Sequence, residues 1–266
     1  PNSTMVQTMY DWLSNLLPND DSIIIEDLSE NTSIIALQGP NFHSVLRNVI
    51  GQENLVDRFS CKEIEGNKIG ISGWIQGTGY TGEEGVEIFI PNRDAPKLWE
   101  SLLSTPGVTP VGLGARDSLR LEKGYLLSGQ DFLWPGLCAE NTNFPRDFLA
   151  RSTLETNVKY GLNLNHDFVG RNSMESDFNP RNILWGMMCL EKGPSPRGGH
   201  QVLNGDSDSE ESSIIGYVTS GCPSPSLGMK GIAIGYLFGC EEGQDVWIQS
   251  NSRRRIRARV QKTPFF

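Results

Sequence analysis

Tyr80 and Glu87 stand at the two ends of the glycine-rich stretch "YTGEEGVE" and are the first residues whose types and spacing could do chemistry. Glycines in and just before this stretch allow a tight turn and let a ligand approach the backbone closely. On a strand, Glu87 points away from its apolar neighbours Val86 and Ile88. If one face of the sheet is core, the carboxylate faces either water or a pocket, and the pattern leaves both open.

A second group of candidate residues is basic and lies in "GLGARDSLRLEKGYLLSGQD". At about 100° per residue, Arg116, Arg120 and Lys123 fall within a sector of about 60° on one side of a helix. The planar guanidinium of Arg116 suits a ligand that carries a carboxylate. The alternative is structural and is favoured by the sequence alone, because Arg120 can form common, weak ion pairs with Asp117 or Glu122 on the helix surface.

Arginines also alternate along a predicted strand, "RRRIRARV", near the end of the chain. Arg253, Arg255, Arg257 and Arg259 share one face of this strand, and apolar residues occupy most of the other. Such a strand could be a solvated sheet edge protected by charge. It could also dock an acidic partner protein.

Composition excludes several classes of protein. The chain has 37% hydrophobic and 21% charged residues, and it contains no apolar run of the roughly 20 residues that a membrane span needs. A net charge of -9 argues against a nucleic-acid binder that acts through its whole surface. The five cysteines and three histidines show no metal-ligand spacing, so we expect reduced thiols and no metal site.

The first half of the chain alternates helix and strand patterns in the order strand, helix, strand, strand, helix. This order is half of a ferredoxin-like α+β layer. A helix that ends at Pro18 precedes it. We predict strands at 22–28 and 33–38, a helix at 41–50, two strands joined by a glycine-rich turn within 67–91, and a helix at 95–104.

The second half of the chain has a different sequence pattern. Residues 132–151 lack a clear period and predict a long loop. From about residue 180, short strands recur at regular intervals with turn residues between them, which favours a small barrel or sandwich. The acidic stretch 204–213 is typical of a solvated hairpin tip.

Five segments together carry a resemblance to a known family: "IALQGP", "GYTGEEGVEIFIP", "GLGARDSLRLEKGYLLSGQD", "FVGRNSM" and "GYVTSGCPSPSLGMKGIAIGYL". In this order they closely resemble the T-protein of the glycine cleavage system, an aminomethyltransferase. The resemblance implies an α+β fold, with folate-binding ferredoxin-like half-domains of the T-protein type followed by a C-terminal β-barrel domain. We expect the folate-binding core at residues 1–170 and the barrel at 180–266.

The resemblance also implies site residues. In the family's pattern the positions of Tyr80, Glu87 and Arg116 line a folate cavity. A pterin offers stacking faces and N–H donors that suit a carboxylate, and a cation suits the negatively charged part of folate. Tyr160 stands where the family usually has a tryptophan, and Asn2 resembles an asparagine near the cavity.

The implied reaction transfers a methylene group from the aminomethylated lipoyl arm of the H-protein to tetrahydrofolate and releases ammonia. The aspartate that the family uses for catalysis would lie before Pro1, so the catalytic residue is unknown here. We therefore expect this chain to keep cavity residues and to lose most of the transfer. Extra residues between Asp131 and Thr153 depart from the family pattern and have no assigned role.

Other functions stay open. A related folate-dependent demethylase or oxidase domain would share the cavity, and a non-catalytic folate-binding protein would lack transfer activity, although its "KGCYxGQE" type of signature is missing. A truncated product without a stable fold is a third alternative. We expect the cytoplasm, or the mitochondrial matrix in a eukaryote, and no nucleic-acid or membrane partner.

Overall fold

The computed structural model describes residues 3–20, 22–133, 143–158, 162–176, 182–205, 212–251 and 254–266. The predicted site residues Asn2 and Tyr160 lie outside these ranges. The chain forms two compact units, Pro1–Val111 and Gly112–Phe266. The domains expected at residues 1–170 and 180–266 remain a prediction. Each of the two compact units is described by itself.

The first unit has a four-stranded antiparallel sheet. Its elements are α1 (Val6–Ser14), β1 (Thr32–Gln38), α2 (Phe42–Val49), β2 (Cys61–Glu63), β3 (Trp74–Gln76), β4 (Gly85–Pro91) and α3 (Ala95–Leu103). The strand order is β1-β4-β3-β2, so β4 is central. The ferredoxin-like half-layer expected from the sequence is confirmed, and β2 is an additional short strand.

The strand predicted at 22–28 is wrong. The described residues of this stretch adopt no strand, and Ile24 is 86% exposed. Its β-branched residues have strand propensity, but propensity reflects packing against neighbouring strands more than a backbone preference. No such neighbour is present in the part of the chain that the structure describes.

One face of the sheet packs against α2 and α3 and forms the core of the first unit. Alternate residues of β4, namely Val86, Ile88 and Ile90, are buried there, as is Ile75 of β3. Burying each such side chain contributes about 1.5 to 3 kcal/mol. Because side chains alternate along a strand, this core forces Glu87 onto the opposite face.

The second unit contains a closed six-stranded barrel, which confirms the barrel expected from the spacing of the strands. Its elements are α4 (Leu113–Glu122), α5 (Arg171–Ser176), β5 (Asn182–Cys189), β6 (Gln201–Leu203), β7 (Ile214–Ser224), β8 (Lys230–Phe238), β9 (Asp245–Asn251) and β10 (Arg254–Gln261). The strand order around the barrel is β10-β5-β8-β7-β6-β9.

The arginine-rich strand β10 is not a sheet edge, so that interpretation is wrong. It pairs with β9 on one side and with β5 on the other. Ile256 and Ala258 point into the barrel core, whereas Arg257 and Arg259 point outward and both bind Asp245. Their charges are thus partly balanced within the same sheet.

Candidate functional site

Glu87 projects from the middle of the first unit's sheet, on the face away from the helices. Its backbone lies between Ala36 of β1 and Gln76 of β3 in the strand register. The side chain is half-buried. The sheet face that carries Glu87, called the open sheet face below, also carries Phe89 and the half-exposed Trp74. Whether the carboxylate faces water or a ligand pocket stays a prediction.

Among the described residues, the Glu87 carboxylate is hydrogen-bonded through one of its two oxygens. The hydroxyl of Thr78 donates a hydrogen bond of 2.5 Å to Glu87 Oε2. Oε1 accepts no hydrogen bond from the residues that the structure describes. An ionised carboxylate can accept several hydrogen bonds, so this oxygen suits N–H donors of a ligand.

Tyr80 lies in the turn that joins β3 to β4 and is half-buried. The turn requires glycine, because Gly82 has a φ of +77°, in the left-handed region. The structure thus brings Tyr80 and Glu87 into one unit, on the same glycine-rich turn and its following strand. Their shared role in folate binding stays a prediction.

Arg116 belongs to the second unit, on the first half of α4, and its side chain is exposed. The last turn of the same helix is buried through Arg120, Leu121 and Glu122. Arg116 is therefore presented by a helix that is fixed at its other end. Its placement in a folate cavity with Tyr80 and Glu87 stays a prediction.

The structural alternative for Arg120 is confirmed in its ion pair with Asp117, but the expected weak pair at the helix surface is wrong because Arg120 is buried. Arg120 has a side chain that is 0% exposed and lies 2.7 Å from the carboxylates of both Asp117 and Asp131. It also donates to the hydroxyl of Ser220 on β7 at 2.7 Å. Lys123 lies over the ring of Phe266.

Asp131 is fully buried and completes this polar cluster. Its Oδ1 accepts hydrogen bonds from the hydroxyls of Thr219 and Ser220, each at 2.6 Å. Its Oδ2 accepts from Arg120 at 2.7 Å and from the Leu127 amide at 2.8 Å. Buried charges are tolerated when they are paired and hydrogen-bonded in this way, so the cluster is structural.

Glu122 forms a second set of hydrogen bonds that connects α4 to the barrel. Its carboxylate accepts from the hydroxyls of Ser224 at 2.5 Å and Ser226 at 2.9 Å, and from the Ser226 amide at 3.1 Å. Sequence reasoning missed this contact. The sequence offered one indication of this contact, because "RDSLRLE" and "TSGCPSPSL" both belong to the motifs that carry the family resemblance.

A cavity of about 340 Å³ lies within the second unit. Its polar lining includes Arg151, Thr153 and Thr156; the other lining residues are Gly124, Tyr125, Leu126, Phe132, Val158 and Leu162. The Arg151 guanidinium stacks over the Tyr236 ring at 4.1 Å and pairs with Glu155 at 3.1 Å. Val158 and Leu162 flank the segment that contains Tyr160.

The described residues contain no candidate metal cluster and no candidate membrane span. No cluster of three or more His, Cys, Asp or Glu side chains there could hold a metal ion. None of the helices in those ranges is long and apolar enough to cross a membrane.

Comparisons with known proteins decide the family. The family model of the GCVT N-terminal domain matches residues 1–133, and that of the glycine cleavage T-protein C-terminal barrel domain matches residues 183–266. The chain belongs to the glycine cleavage T-protein family. The aminomethyltransferase of Prosthecochloris aestuarii is 33% identical over 275 residues, which cover 99% of this chain and 68% of that protein.

A second relative and a solved structure of the same family are also similar to this chain. The aminomethyltransferase of Chlorobium luteolum is 36% identical over 227 residues and is covered to 55% of its length. The crystal structure of glycine cleavage system aminomethyltransferase T from Bartonella henselae matches the whole chain with a TM-score of 0.72 and 26% identity, over 67% of that structure. The chain thus spans between about half and two thirds of the relatives that it matches.

Proposed function

We propose that this protein transfers a methylene group from the aminomethylated lipoyl arm of the H-protein to tetrahydrofolate, with release of ammonia. The observation that carries the proposal is the Glu87 carboxylate, held by Thr78 on an open sheet face with one oxygen available to a ligand. Membership in the T-protein family supports this reaction. The aminomethyltransferase names of the relatives support a transferase.

The side-chain types of the proposed site residues suit tetrahydrofolate. Glu87 would accept N–H hydrogen bonds from the pterin edge, Tyr80 would offer an aromatic face, and Arg116 would attract a carboxylate of the folate tail. When bound, tetrahydrofolate supplies the amine that accepts the one-carbon unit. Tyr160 and Asn2, outside the described residues, are proposed as additional contacts.

What this chain contributes to the reaction is positioning. Holding the acceptor in one orientation converts an encounter between two reactants into a reaction within one complex, which lowers the barrier substantially. No nucleophile is needed for that contribution. The lipoylated H-protein is the proposed partner, and the bacterial origin of the relatives favours the cytoplasm.

The proposal is tested by ammonia release from aminomethylated H-protein, with and without tetrahydrofolate, using the full protein. We expect folate-dependent release, and a fall on the order of tenfold or more in Glu87→Ala at subsaturating folate. Glu100→Ala is the matched control, because Glu100 is exposed on α3, away from the open sheet face. Ammonia release that is independent of folate, or equal in both variants, would overturn the proposal.

A further inference from the structure

Gln38, the last residue of β1, ties three parts of the first unit together. Its Nε2 donates to the carbonyl oxygens of Thr78 and Val86, each at 3.1 Å, and of Leu37 at 3.2 Å. Its Oε1 accepts a hydrogen bond of 3.0 Å from the hydroxyl of Thr81. One half-buried amide therefore links β1, β4 and both sides of the glycine-rich turn.

Two glycines make room for this amide. A Cβ at Gly79 would lie 1.8 Å from Gln38 Oε1, and a Cβ at Gly85 would lie 2.5 Å from Gln38 Nε2. The same Cβ at Gly85 would lie 2.4 Å from the Leu37 carbonyl oxygen. Neither position has a positive φ. Gly85 is therefore required by the close approach of the β1 backbone, whereas Gly79 leaves room for the end of the Gln38 side chain.

The contacts of Gln38 lead directly to Glu87. Gln38 holds the carbonyl of Thr78, and the Thr78 hydroxyl holds Glu87 Oε2 at 2.5 Å. Thr78 lies two residues after β3, and its own N–H donates to the Gln76 carbonyl at 3.0 Å. Fixing that backbone fixes the point from which the hydroxyl reaches the carboxylate.

We propose that Gln38 and Thr78 are positioning residues that orient the Glu87 carboxylate toward a ligand with N–H donors. The proposal rests on the proposed function, because tetrahydrofolate is that ligand. Neither residue needs to touch folate. Their effect is transmitted through hydrogen bonds to the Glu87 side chain and to the backbone of the turn that precedes it.

The test measures KM for tetrahydrofolate and kcat separately in the full protein. Thr78→Val removes the hydroxyl with little change in shape, and we expect KM to rise about tenfold, since a hydrogen bond to a charged group is lost. Thr78→Ser restores the hydroxyl and should return KM close to the wild-type value. Gln38→Met should raise KM in the same direction.

Thr32→Val is the matched control, because Thr32 lies on the same strand as Gln38, at its other end. It should leave KM and kcat at wild-type values. Thermal melting of each variant separates a loss of folding from a loss of orientation, and the comparison of Thr78→Val with Thr78→Ser stands even if Gln38→Met is unstable.

The outcomes separate this inference from the proposed function. A KM that rises in Thr78→Val and recovers in Thr78→Ser supports positioning. Wild-type KM in Thr78→Val, alongside a raised KM in Glu87→Ala, overturns positioning and leaves the proposed function standing. Wild-type KM in Glu87→Ala itself overturns both.

Discussion

At the scale of single residues, Glu87 and Asp131 show how surroundings decide what a carboxylate can do. Asp131 is completely buried and accepts four hydrogen bonds from its own chain, so nothing remains for a ligand. Glu87 is half-buried and uses one oxygen. In the sequence, both are acidic residues beside turn motifs. Only the structure shows that Asp131 has a structural role and that Glu87 is the candidate ligand contact.

Cys189 provides a prediction about alkaline pH. Its thiol is 3% exposed, and burial, reinforced by the Glu191 carboxylate, raises its pKa from 9.0 to about 11. The folded protein keeps this proton after the unfolded chain has lost it. The stability that follows is present below pH 9.0 and is lost as the pH rises through about 11.

We therefore expect the free energy of unfolding in urea to fall between pH 9.0 and about 11, and to fall less steeply in Cys189→Ala. Cys61→Ala, which changes an exposed thiol, should keep the wild-type slope. Parallel pH profiles for all three proteins would show that Cys189 does not contribute.

At the scale of elements, α4 is a helix fixed at one end. Its last turn is buried against the barrel, while Leu113 in its first turn is 82% exposed. The helix and its charges could be predicted from the sequence. The buried side could not, because a helical pattern does not say which charges meet hydroxyls, such as those of Ser220 and Ser224, that lie about a hundred residues along the chain.

Removing the Asp131 carboxylate should loosen this anchor. Asp131→Ala takes away the group 2.7 Å from Arg120 Nη1, and we expect a loss of about 3 kcal/mol in the free energy of unfolding. The value lies at the lower end for a buried pair because Asp117 still contacts Arg120. Urea unfolding measures it.

Asp167→Ala is the comparison for that experiment. Asp167 is fully exposed and pairs with Arg171 at 3.5 Å, and exposed pairs contribute little. Similar losses in the two variants would contradict the anchoring role of Asp131.

At the scale of the whole molecule, the order of elements was more predictable than their pairing. Periodicity indicated the helices at 41–50 and 95–104 and the succession of short strands after residue 180. It could not show that β10 closes the barrel onto β5, because that pairing joins segments distant in the chain. The three-residue strands β2 and β6 are too short to produce a pattern.

The candidate site residues were predicted more from the family resemblance than from residue patterns. Strand alternation placed Glu87 on one face, but a face alone does not name a ligand. Gln38 was not predicted because most of its hydrogen-bond partners are backbone carbonyls, which cannot be recognised from side-chain types. Contacts of this kind become visible only when the turn and both strands are in place.

The proposed contact between Glu87 and tetrahydrofolate is measured by equilibrium binding. Titration calorimetry would compare the full wild-type protein with Glu87→Ala and the control Glu100→Ala. We expect one folate site, weakened by about 1 to 3 kcal/mol in Glu87→Ala and unchanged in Glu100→Ala. Equal folate affinity in Glu87→Ala and the wild type, or no binding by the folded wild type, would contradict it.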